Sequence, residues 1–208
     1  MMIINIIRRY CKPAGFSILG LALSVPAFAT DQQVQQCFLD VKYKDFQRAQ
    51  VSCLIAANTG DADAQLEYGS LYYFGYKEVP VDYAKTMTWI SKSAAQGNPD
   101  AEHTMGEMFD FGLGVKVDKA IAFDWYEKAA NQRVVGAQVN IGIMYFDGSG
   151  RAQDRVLGYA WTKVAVQRAG QMAETILDGM RPKLSEAQVS AASKQAESIL
   201  EGLYPSAQ

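Results

Sequence analysis

Residues 101–133 read AEHTMGEMFDFGLGVKVDKAIAFDWYEKAANQR, and the chain carries this stretch three times. Ala64, Ala101 and Ala137 open the copies, and Gly69, Gly106 and Gly142 follow five residues later. An aromatic comes next (Tyr72, Phe109, Tyr145), then Gly75, Gly112 and Gly148. Asp82, Asp118 and Asp154 precede Trp89, Trp125 and Trp161 by seven residues, and both sets recur every 36 positions. A fixed period of this length is the mark of a solenoid, in which no single unit can bury its apolar face alone.

Thirty-six residues are also ten helical turns, so one long helix has to be excluded. Gly75, Gly97-Asn98-Pro99, Gly112-Leu113-Gly114 and Gly148-Ser149-Gly150 exclude it, because such punctuation breaks helices. Each copy is therefore two helices and a turn. In the middle copy Asn98 caps a helix that starts at Pro99 and ends near Phe111, before Gly112. Asp118 caps the second helix, whose Ala122, Trp125, Ala129 and Ala130 form an apolar stripe. Gly106 inside a helix costs about 1 kcal/mol against alanine. Its return in every copy implies a neighbouring helix too close for a side chain. Ala94, Ala129 and Ala165 are expected to be the small residues facing these glycines, with the aromatics and tryptophans filling the groove between hairpins.

The pattern A-x-x-x-[LMI]-G-x-x-[YF]-x-x-G-x-G-V-x-x-D-x-x-x-A-x-x-W-x-x-x-A-A resembles the Sel-1-like repeat, a relative of the tetratricopeptide repeat. Residues 101–130 match it almost throughout. The first copy departs at Tyr68, at Thr86 and by one extra loop residue between Tyr76 and Val81. The third has Arg151 for the loop valine and Gly158 for the alanine, and its entry Arg133-Val134-Val135-Gly136 lacks both the usual glycine and a polar cap. The resemblance implies an all-α fold, a right-handed α-solenoid of helical hairpins. It also implies scaffolding, envelope signalling or host interaction, without selecting among them. Some cysteine-rich exported relatives are associated with β-lactam binding and hydrolysis, which gives an enzymatic alternative. Those carry a cysteine pair in every repeat, whereas the three copies here carry none. A third alternative is a purely structural spacer in an envelope complex.

Residues 1–29 have the form of a secretory signal: Arg8, Arg9 and Lys12, an apolar run from Phe16 to Val25, then Ala27-Phe28-Ala29 as a cleavage site. The run is too short to span a bilayer. Arg8-Arg9 lacks the rest of a twin-arginine motif, and Cys11 precedes the apolar run, so it is not a lipobox. The expectation is cleavage after Ala29 and a periplasmic or secreted chain without a membrane span. Removing 1–29 leaves 17 basic and 22 acidic residues, a formal charge of −5. That balance argues against nucleic acid, whose phosphates need a basic footprint.

The remainder divides into a capping hairpin at 30–60, repeats at about 61–97, 98–133 and 134–170, and C-terminal capping helices with a tail at 171–208. In the first cap Val34, Cys37, Phe38 and Val41 face Phe46, Ala49, Cys53 and Ala57 across a turn at Lys42 to Asp45. At the far end Ser185 and Gln188 form a capping box, with Leu184 and Val189 as its staple. Tyr204 to Gln208 is expected to fray.

Candidates for chemistry are few. Export makes a Cys37–Cys53 disulfide compatible with the compartment. Counted from the turn, however, the two sulfurs sit about 6 Å apart in level, against a bridge that tolerates Cα separations of roughly 4.4–6.8 Å in total. That count favours two buried thiols. His103, the only histidine, has no second ligand for zinc and reads as an outward-facing surface residue. Asp110-Phe111-Gly112 spells a kinase triplet, but no phosphate loop accompanies it. No cofactor and no catalytic residue are expected.

What varies between copies on the first helices is the expected partner surface: Ser70, Tyr73, Phe74, His103, Glu107, Asp110, Phe111, Ile143 and Phe146. Inner helices of solenoids line a concave face, and exposed aromatics there take up peptide side chains. The sequence equally allows these aromatics to fold under the Gly-rich loops and only pack. The partner would be another envelope protein or a peptide segment.

Overall fold

A computed structural model of the chain describes residues 27–204. The signal-type segment lies outside the described residues except for its last three positions, as does the tail beyond Tyr204.

Among the described residues ten α-helices follow one another as hairpins: α1 (Ala27–Lys42), α2 (Phe46–Ala57), α3 (Ala62–Phe74), α4 (Tyr83–Ala94), α5 (Pro99–Phe111), α6 (Lys119–Asn131), α7 (Val135–Asp147), α8 (Arg155–Ala169), α9 (Gln171–Met180) and α10 (Glu186–Leu203). A 3₁₀ turn, Arg181–Lys183, joins the last two. The three repeats are the pairs α3/α4, α5/α6 and α7/α8. This is the α-solenoid of helical hairpins that the period implies.

Side-chain capping starts most of the repeat helices. Asp61 accepts from the Ala64 amide at 2.7 Å and Asn98 from Asp100 and Ala101. Asp82, Asp118 and Asp154 cap α4, α6 and α8 in the same way. Each cap satisfies amides the helix itself leaves without a partner. Only α7 lacks one, as its apolar entry suggests: Val134 offers no side-chain acceptor, and Arg133 takes the left-handed φ of 73° that other copies give to glycine.

The helix glycines are pressed by the second helix of their own hairpin. A Cβ on Gly69 would stand 2.8 Å from the Ile90 side chain, and one on Gly106 would enter the Tyr126 ring. One on Gly142 would strike Thr162. The facing residues are therefore Ile90, Tyr126 and Thr162, each directly after a tryptophan. This corrects the expectation for Ala94, Ala129 and Ala165, which are buried instead against the first helix of the following hairpin, beside Ala101, Ala137 and Ala173. Each tryptophan packs between its own hairpin and the one before: Trp89 edge-on to Tyr68 at 5.2 Å, Trp125 against Ile90 and Met105. Lys92 and Lys128 cover the outer faces of these two half-buried indoles at 4.0 and 4.1 Å. Trp161 is buried.

A buried polar position also ties the hairpins together. Gln65 donates to the Ala57 carbonyl and accepts from Gln96, Glu102 accepts from Gln132, and Gln138 donates to the Ala130 carbonyl.

Two expectations about the ends are corrected. Cys37 and Cys53 form a disulfide with Cα atoms 4.5 Å apart. Measured from the helix ends rather than the turn, Cys37 lies five residues before Lys42 and Cys53 seven after Phe46. The level difference is then about 3 Å at 1.5 Å per residue, within reach of a bridge. Tyr204 does not fray. Its ring lies under the Arg168 and Arg133 guanidinium groups at 4.2 and 4.9 Å, and its hydroxyl accepts from Gln138 at 3.4 Å. The capping box of Ser185 and Gln188 starts α10.

Candidate protein-binding face

The first helices of the repeats present one stripe that packing does not consume. Ala64, Tyr68 and Leu71 of α3 are buried in the core. Asp63, Glu67, Ser70 and Phe74 stand at helical spacing on a different face, and Asp100, Thr104, Glu107 and Phe111 repeat that spacing on α5. Between the two helices runs an open groove of about 540 Å³. Leu66, Glu67, Ser70, Tyr73 and Phe74 line it from α3, and Asp100, His103, Thr104 and Glu107 from α5.

The polar groups of this groove are organised. The Tyr73 hydroxyl donates to the Glu107 carboxylate at 3.0 Å, and burial together with that carboxylate pushes the phenol well above its ordinary range. Burial, then the charges of Asp63 and Asp100, raise the Glu67 carboxyl. His103 is no plain surface residue, which corrects that expectation. It is wedged between the second and third copies, with Asn140 Nδ2 at 3.2 Å from Nε2, the Tyr126 ring 5.5 Å away and Gly136 leaving room for the imidazole. Burial lowers its pKa, against the opposing pull of Glu107 and Asp100. Neutral imidazole with an unprotonated Nε2 suits a donated amide bond from Asn140.

The expected partner residues separate into three groups. Ser70, Tyr73, Phe74, His103 and Glu107 share the groove. Asp110 and Phe111 sit at the end of α5. There Asp110 pairs with Lys119 at 2.6 Å and accepts from Tyr126, while Phe111 is 64% exposed, matching Phe74 at 65% one repeat earlier. Ile143 and Phe146 do not join them. Phe146 is 2% exposed, packed among Met180, Leu184 and Val164, and Ile143 is half-buried in the same region. The C-terminal helices cover Phe146, which stands at the place of Tyr73 and Asp110, while the place of Phe74 and Phe111 is held in the third copy by the exposed Asp147. The carboxylates Glu67 and Asp100 were missed by sequence reasoning; the signal was their place in the stripe that ends on each exposed phenylalanine.

A model of the Sel1 repeat matches residues 62–98, 99–134 and 135–168. The chain belongs to the Sel1 repeat family. Proteins of this Sel1/TPR-like fold generally mediate protein–protein interactions. Among solved structures, the chain is similar to c5321, a protective antigen present in uropathogenic Escherichia coli strains that displays an SLR fold. The two are 29% identical with a TM-score of 0.76, over 85% of this chain and 38% of that one. A Sel1 repeat protein from Oxalobacter formigenes is 31% identical with a TM-score of 0.56, over 64% of this chain and 98% of that one. In sequence, 58 residues are 33% identical to the ERAD-associated E3 ubiquitin-protein ligase component HRD3A of Arabidopsis thaliana, 28% of this chain and 9% of the plant protein. The chain thus spans a small part of the plant relative and well under half of the E. coli antigen. Among the described residues no group of three or more His, Cys, Asp or Glu side chains could hold a metal ion, and no helix is long and apolar enough to cross a membrane.

Proposed function

We propose that the chain is a non-catalytic exported scaffold that holds an envelope protein, or a peptide segment of one, on the concave side formed by α3, α5 and α7. One observation carries this reading: Phe74 and Phe111 occupy equivalent places in consecutive repeats and remain about two-thirds exposed, and Phe74 lines the open groove between α3 and α5. Exposed aromatics at the rim of a polar groove are what anchors for a partner look like. The signal-type sequence of residues 1–29 supports export, and so does the Cys37–Cys53 bridge, since disulfides persist in oxidising compartments. The plant relative is named as a component of a ligase assembly, which supports a scaffolding role.

Photoreactive benzoylphenylalanine placed at Phe74 or Phe111 in cells tests the reading, with the exposed Thr88 of α4 as the control. Adducts with a second protein at positions 74 and 111 and none at 88 are expected. Adducts confined to position 88 would place the interface on the opposite side and overturn it.

A further inference from the structure

Charge is divided between the two sets of repeat helices. α3, α5 and α7 contain seven carboxylates and no lysine or arginine. α4, α6 and α8 contain seven lysines and arginines against Asp124 and Glu127 alone. Among the described residues six carboxylates have an ion pair: Asp40 and Asp45 with Arg48, Asp82 with Lys85, Asp110 with Lys119, Asp124 with Arg151 and Glu186 with Arg181. In the α3/α5 groove, Glu67, Asp100 and Glu107 have no lysine or arginine within 4 Å among the described residues. Glu67 is half-buried and crowded by two like charges, so an incoming cation would relieve an existing repulsion. The groove is also partly apolar, with Leu66 in its lining and Phe74 at its rim.

We infer that the α3/α5 groove receives an arginine-bearing extended segment of a partner protein, its guanidinium held by Glu67, Asp100 and Glu107 and a neighbouring apolar side chain laid on Phe74. This rests on the binding reading above and adds the chemistry of what is bound. Arginine is favoured over lysine because its planar fork meets two carboxylates at once and stacks on an aromatic face. Among the described residues no three acidic, His or Cys side chains come close enough to hold a metal ion, whereas a guanidinium spreads five N–H donors over a wider span. Phosphate-bearing partners are repelled by the same charges. The open shape of the groove suits a chain passing through it rather than an enclosed small molecule.

Fluorescence anisotropy with the full chain and a labelled octapeptide alternating arginine and leucine tests the inference. A second peptide carries citrulline, the neutral isostere, in place of arginine. The arginine peptide is expected to bind, with the citrulline peptide about tenfold weaker, the size of one charge-assisted hydrogen bond. E67Q/E107Q is expected to lose a similar factor, raised salt to weaken the wild-type complex, and D178N in the C-terminal cap to change nothing. Equal binding of the two peptides, or full binding by a folded E67Q/E107Q, would overturn it. The two readings fail separately. If crosslinks form at Phe74 and Phe111 and E67Q/E107Q captures the same partner undiminished, the scaffold stands and the cationic segment falls. If positions 74 and 111 capture nothing while Thr88 does, the face itself is wrong and this inference falls with it.

Discussion

Replacing Gly158 with alanine separates the family pattern from the geometry of this chain. The other copies have Thr86 and Ala122 at the equivalent place, so consensus reasoning recommends alanine. The structure predicts harm. A Cβ at 158 would stand 2.5 Å from the Phe146 amide nitrogen, 2.6 Å from the Gly142 carbonyl oxygen and 2.8 Å from the Phe146 Cα. Every obstacle is backbone, so no side chain can rotate away, and α8 must withdraw from α7 by about 1 Å to restore ordinary contact. Alanine gains about 1 kcal/mol of helix propensity, while overpacking against an unyielding wall costs about 3 kcal/mol, the upper end of the usual range. The net is a loss of about 2 kcal/mol, or about 4–8 °C in Tm for a chain of this size. Gly179 in α9 is the control: nothing lies within 4 Å of its would-be Cβ, so G179A should gain about 1 kcal/mol. Urea unfolding followed by circular dichroism, with the slope checked because repeat arrays depart from two-state behaviour, gives both values. A neutral or stabilised G158A would refute the close approach of α7 and α8.

Other outcomes follow from the same contacts. Closing the 16-residue separation between Cys37 and Cys53 should stabilise the chain by about 3 kcal/mol; a C37S/C53S variant that unfolds at the wild-type urea concentration would contradict this. His103 binds its proton less readily when folded, so between the ordinary value of 6.5 and its lowered folded pKa the unfolded chain holds more protons. Stability therefore falls as pH drops through that window, and H103Q should flatten the fall in Tm. Glu67 has the opposite sign: its raised folded pKa makes the native carboxylate a burden at pH 7, so E67Q should raise Tm there, the benefit fading as pH drops towards 4.5. Removing the Tyr204 ring from beneath its two arginines should cost about 1 kcal/mol in Y204A; an unchanged melting curve would show that the C-terminus is not docked.

Some of this was open to reading in the chain itself. The glycines and aspartates repeat because each performs a backbone task, close approach or helix capping, that few residues can perform, so their spacing carries the hairpins directly. What faces each glycine was hidden, since Ile90, Tyr126 and Thr162 are unlike one another and only their position after tryptophan is shared. Phe146 is equivalent to the half-buried Tyr73 and Asp110, and its burial depends on Met180 and Leu184, more than thirty residues away. The disulfide was misjudged because axial level was counted from the middle of a turn, where helix ends are not fixed by sequence. For the groove, the stripe from Asp63 to Phe74 could be found by helical spacing, whereas that its carboxylates have no ion pair among the described residues needed the packed structure.

Carboxyl footprinting of the chain with and without its crosslink-identified partner tests the central claim most directly. The account predicts that Glu67, Asp100 and Glu107 are protected from carbodiimide labelling in the complex while Asp178 and Glu197 label as before. Protection of the cap carboxylates, with those three still labelling freely, would contradict it.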